Sequence, residues 1–104
     1  IFSLAHKSVH DELNMKASAR SKRSGHNPTV HEVTEEGVVF SSYRDGRKVH
    51  LTPEKTVAAQ KAYGSDIIIP LDELPPYHID TEALYRSVLL THRWEARSLR
   101  AHLA

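Results

Sequence analysis

The sequence predicts an α/β fold in which a strand buried on both faces lies between two helices, and three observations lead there. Ile67-Ile68-Ile69 is an unbroken β-branched run that stops at Pro70. It lacks the apolar–polar alternation of a half-solvated strand, and burial on both faces is typical of parallel sheets covered by helices. Helix-start signals stand on either side of it, at Thr52-Pro53-Glu54 and at Asp80-Thr81. Upstream, Asp45-Gly46 separates two β-prone runs, the pattern of an antiparallel hairpin. A buried strand needs parallel neighbours, and only one such strand is present, so residues 1–104 are expected to form a partial α/β domain.

Residues 1–4 form a short apolar stub. His6 and His10 then share one face if helical, a spacing metals use, but no third ligand is fixed by pattern, and solvated polar residues are the other reading. Residues 14–31 are expected to be a mobile basic insert. From Asn14 to Pro28 it carries no large apolar side chain after Met15, so it cannot bury enough surface to offset its ordering entropy. Electrostatic contact with nucleic acid is its functional reading and a plain loop the bland one. Residues 38–43 and 48–51 flank Arg44-Asp45-Gly46-Arg47 as the hairpin strands.

Thr52 supplies a capping hydroxyl, Pro53 sits where its missing donor costs nothing, and Glu54 lies near the positive end of the helix dipole. That helix should run to about Tyr63, with Gly64 as its left-handed cap. After the buried strand, Pro70 cannot donate to a ladder, and a proline-stiffened loop carries Asp72 and Glu73. Ligands of α/β folds bind outside the carboxyl ends of strands, which makes those two carboxylates candidates for a binding site. Asp80 or Thr81 caps the second helix, where Tyr85, Leu89, His92, Ala96, Leu99 and Leu103 recur at spacings of four and three and are predicted to face the core. His92 within that stripe reads as a hydrogen-bonded core residue. Arg86, Arg93, Arg97 and Arg100 fall on another face with Trp94 at its edge, either a solvated face or a row of RNA phosphate contacts.

Composition narrows the field modestly. The hydrophobic share of 39% is below that of typical globular chains, and the net charge of +1 excludes no partner. With no cysteine, disulfides and thiolate zinc sites are impossible within these residues. No apolar run approaches the roughly 18 residues of a membrane span, and residues 1–4 lack the length and charged flank of a signal peptide, so a cytoplasmic or other intracellular origin is expected. The chain opens on Ile1-Phe2 and stops at Ala104 inside a helical pattern, which reads as a fragment of a longer protein whose bare strand edges would favour self-association.

Several motifs in order carry a resemblance: Glu35-Glu36-Gly37-Val38, Asp45-Gly46, Leu51-Thr52-Pro53-Glu54 with Gln60, Gly64-Ser65-Asp66-Ile67, Leu71-Asp72-Glu73 with Pro76-Tyr77, then Tyr85-Arg86-Ser87 with Arg93-Trp94. Together they resemble the queuine tRNA-ribosyltransferases, also called tRNA-guanine transglycosylases, over about residues 34–103. Residues 1–4 are similar to the segment just after that family's Asp-Ser-Gly-Gly-Phe-Gln motif, which makes the basic stretch an insertion in a normally short connection. The resemblance implies a fragment of an irregular (β/α)8 TIM barrel from an enzyme that exchanges wobble guanine in tRNA for a deazaguanine base, queuine in eukaryotes. An aspartate nucleophile would hold the tRNA covalently while the bases swap, a double displacement.

In the family pattern that nucleophile lies downstream of Ala104, the second catalytic aspartate lies just before Ile1, and a Cys3His zinc site lies near the C-terminus of the parent. The resemblance therefore implies no catalytic residue and no metal in this chain, and a fragment inactive alone. It places Asp72 at the base-reading aspartate, where two carboxylate acceptors match the adjacent ring N–H and amine donors of the base. Glu73 stands as a supporting group and Tyr77 as a pocket wall. Partners implied for the parent are tRNA, queuine and a homologous partner subunit. Bacterial members commonly carry cysteine where Leu74 stands, so the resemblance points to the eukaryotic type and to queuine as the incoming base. The alternatives are the non-catalytic partner subunit of such an enzyme, or a small basic RNA-binding module using residues 16–23 and the arginine stripe.

Overall fold

The structure, a computed structural model, describes residues 30–104. The apolar stub, the His6 and His10 pair and residues 14–29 of the expected insert lie outside the described residues. Val30 and His31, expected to close that insert, instead belong to the first strand, because Val30 pairs with Phe40 of the second. Strands β1 (Val30–Val33), β2 (Val38–Ser41) and β3 (Lys48–Leu51) form one antiparallel sheet in the order β1-β2-β3. The hairpin joining β2 and β3 forms at the expected residues, with Ser41 opposite Lys48 and Val38 opposite Leu51. Gly46 takes φ +73°, the left-handed conformation for which glycine is suited, and Asp45 Oδ1 accepts from the Arg47 amide at 3.0 Å.

Helix α1 (Pro53–Ala62) starts as its sequence predicts: the Thr52 hydroxyl accepts from the Lys55 amide at 3.2 Å, and Gly64 ends the helix at φ +73°. Helix α2 (Thr81–Leu103) is capped by Asp80, whose Oδ1 accepts from the Ala83 amide at 2.7 Å. The two helices pack on each other, and α2 also lies against the sheet. The core is small: Val38, Leu71 and Trp94 are buried together, with Val30, Phe40, Leu51 and Leu90 packed around them.

Two expectations fail here. Residues 67–69 form no strand among the described residues, and Ile67 and Ile69 are 82% and 69% exposed. The described sheet ends at β3 and offers this run no strand partner, so β propensity alone cannot make a ladder. The described sheet is thus antiparallel, and the predicted buried parallel strand is absent from it.

The inner face of α2 is also opposite to the predicted one. Ser87, Trp94 and Ser98 are buried and Ala83, Leu90 and Ala101 half-buried, whereas Tyr85, His92, Ala96, Leu99 and Leu103 are exposed and only Leu89 is partly covered. Apart from Leu89, each of these covered positions lies two residues from a predicted one, which is roughly 200° around a helix. Small side chains at 83, 87, 98 and 101 let α2 approach its neighbours closely, an advantage that a count of large apolar residues does not register.

Candidate functional site

The loop that carries Asp72 and Glu73 leaves α1 behind and crosses to α2 outside any regular ladder, so its backbone groups need other partners. Gln60, in the last two turns of α1, supplies them at one end. Its Oε1 accepts from the Ile69 amide at 2.8 Å, while its Nε2 donates to the Ile69 carbonyl at 2.9 Å and to the Thr56 carbonyl at 3.1 Å. A carboxamide presents a donor and an acceptor in one plane, so this pairing supplies both bonds that a neighbouring strand would give to Ile69. Leu71 then turns inward and is buried against Val38 and Trp94. At the far end, Thr91 on α2 does the same work with a hydroxyl: its Oγ1 accepts from the Glu73 amide at 3.0 Å and donates to the Glu73 carbonyl at 3.4 Å.

Between these fixed points Asp72 is exposed, as alternation along an extended chain requires once Leu71 faces the core. Glu73 is half-buried and lines a different space, a cleft of about 430 Å³ shared with Thr34, Glu35, Arg86, Ser87 and Arg93. The Ser87 hydroxyl is buried there without a hydrogen-bond partner among the described residues. Asp72 and Tyr77 do not line that cleft. Tyr77 is 89% exposed and makes an edge-on contact with its neighbour His78, ring centroids 5.0 Å apart.

Two arginines of that face, Arg93 and Arg97, are engaged by carboxylates. Arg93 grips Glu35 with two parallel bonds, Nε to Oε1 at 2.7 Å and Nη2 to Oε2 at 2.9 Å. Arg97 does the same to Glu54, Nε to Oε1 at 2.8 Å and Nη2 to Oε2 at 2.7 Å, and its Nη1 reaches the Glu35 carbonyl at 2.7 Å. Trp94 Nε1 donates to that same carbonyl at 2.9 Å. The fork of hydrogen bonds from Arg93 holds the Glu35 carboxyl below its ordinary pKa, and that from Arg97 does so for Glu54. Sequence reasoning found these arginines but not their partners, because Glu35 and Glu54 stand 58 and 43 residues away. Gln60 stands in a sequence motif that assigns it no role, and Thr91 carries no sequence signal. Among the described residues no group of three His, Cys, Asp or Glu side chains is placed to hold a metal ion, and no helix is long and apolar enough to cross a membrane.

These features define a piece of an α/β protein that presents one acidic residue on a loop pinned between two helices. Residues 4–104 match the family model described as queuine tRNA-ribosyltransferase. The chain is 59% identical over 103 residues to a queuine tRNA-ribosyltransferase of Protochlamydia amoebophila, a match covering 99% of the chain and 25% of that relative. Proteins of the same name from Chlamydia abortus and Chlamydia muridarum are 52% and 50% identical, over 98% and 100% of the chain. The chain belongs to the queuine tRNA-ribosyltransferase family, and it spans about a quarter of the length of the curated relatives it matches. These relatives are bacterial, which overturns the eukaryotic type expected from Leu74, and the hint about the incoming base drawn from that residue falls with it. Leu74 is 53% exposed, and packing places little constraint on such a side chain.

Proposed function

We propose that this chain is a segment of an enzyme that exchanges a guanine base in tRNA for queuine or a related deazaguanine, and that it contributes Asp72 to the reading of the base. The observation that carries this reading is the exposed Asp72 carboxylate on a loop pinned at Ile69, Leu71 and Glu73, in a chain whose family is named for that reaction. A carboxylate with two free acceptor oxygens suits a base edge with two neighbouring N–H donors, and the charge strengthens both bonds. The segment would lie within the parent's (β/α)8 barrel, with the exchange running as a double displacement on an aspartate supplied by another part of the polypeptide. Glu73 lines the cleft on the other side of the loop, and in this reading it is a supporting group beside Asp72.

In the full-length protein, Asp72→Asn leaves one acceptor and one misplaced donor, and should weaken base binding by about 2 kcal/mol, the usual cost of losing a charge-assisted bond. Guanine exchange into tRNA, followed as KM for the base, reads this directly. Unchanged kinetics would remove Asp72 from the site.

A further inference from the structure

We infer that Gln60 and Thr91 are positioning residues for the Asp72 carboxylate, setting base affinity without touching the base; this rests on the reading of Asp72 as the base reader. A loop residue is ordinarily held less firmly than one in a strand, and recognition of a planar base by two acceptors tolerates displacements of only about 0.5 Å. Here no described strand flanks residues 69–73, yet the backbone on each side of Asp72 is tied by a side chain that both donates and accepts. Gln60 holds Ile69, three residues before Asp72, and Thr91 holds Glu73, the residue after it. The two ties come from different helices, so a tilt of either helix is resisted by the other. Gln60 is itself fixed, through Nε2 to the Thr56 carbonyl and through its own carbonyl, which accepts from the Ser65 amide at 3.2 Å.

The substitutions that separate this role from bulk stability keep shape and remove hydrogen bonding. Thr91→Val deletes the hydroxyl and Thr91→Ser retains it. Gln60→Leu deletes both partners of Ile69, and Gln60→Glu keeps the acceptor but loses the donor. In the full-length protein, Thr91→Val and Gln60→Leu are expected to raise KM for guanine about tenfold each, the worth of an ordinary hydrogen bond, with KM for tRNA unchanged. Thr91→Ser restores the guanine KM, and Gln60→Glu falls between. Deuterium uptake of the peptide covering residues 66–75 should quicken in the two deletion variants and return to normal in Thr91→Ser.

An unchanged guanine KM in both deletion variants, with Asp72→Asn impaired, overturns the positioning role and leaves base reading intact. Equal losses of guanine and tRNA affinity overturn it too, since they mark general loosening. An unimpaired Asp72→Asn removes the base-reading assignment first and the inference with it.

Discussion

At Gly37 the constraint is space and not backbone angle. A Cβ there would collide with the Leu51 carbonyl oxygen and stand 3.0 Å from its carbon and 3.1 Å from Thr52 Cα, all backbone atoms that cannot swing aside. Gly37 precedes Val38, whose register partner is Leu51, so an added methyl would push β2 from β3 at the point where Val38 enters the core. Gly37→Ala is expected to cost about 1–3 kcal/mol, the range for overpacking, and thermal unfolding of the 104-residue chain measures it. An unchanged midpoint would mean the strand pair can part without cost. Glu35-Glu36-Gly37 stood out in the sequence as a family motif, but the reason for its glycine did not. Close approach across a hairpin depends on register, which pairing sets and composition does not.

At the level of elements, what was legible is what local chemistry decides. The Asp45-Gly46 turn, the Thr52 cap, Pro53, the Gly64 terminator and the Asp80 cap are each settled within a few residues, and each appears where expected. What was not legible needed a neighbour. The Ile67 to Ile69 run has strand propensity without a strand partner, and α2 shows two stripes at the same period, one rich in large apolar side chains and one rich in small ones around Trp94. Tertiary packing chose the second, and a period alone cannot. The contrast can be measured on the 104-residue chain. Trp94 is fully buried, so Trp94→Ala should cost about 3–5 kcal/mol. Tyr85 belongs to the rejected stripe and is 64% exposed, so Tyr85→Ala should stay within about 0.5 kcal/mol. Comparable losses at both positions would return the apolar stripe to the core.

Across the described residues, the sheet and α2 share a small apolar core, α1 packs on α2, and ion pairs add to that join at its edge. Glu35 in the β1–β2 turn meets Arg93, Glu54 in the first turn of α1 meets Arg97, and Arg97 also spans to the Glu35 carbonyl. Hydrogen bonds from the arginines lower both carboxyl pKa values in the folded state, and the unfolded chain keeps the ordinary value near 4.5. A carboxyl with a depressed folded-state pKa adds stability that is fully present above its unfolded value and is lost as pH falls through the folded one. The double variant Glu35→Gln, Glu54→Gln should therefore be less stable than the parent chain at neutral pH, and the difference should shrink to nothing as pH drops below the depressed folded-state values, where the parent's carboxyls are protonated too. Denaturant unfolding of both chains across that range reads the difference directly. The side chains of Glu35 and Glu54 are 60% and 48% exposed, so salt should act in the same direction as acid. Near 1 M salt the screening length is about 3 Å, and the neutral-pH difference should narrow there as well. A difference that persists unchanged in acid and in salt would mean that shape, and not charge, ties the helices to the sheet.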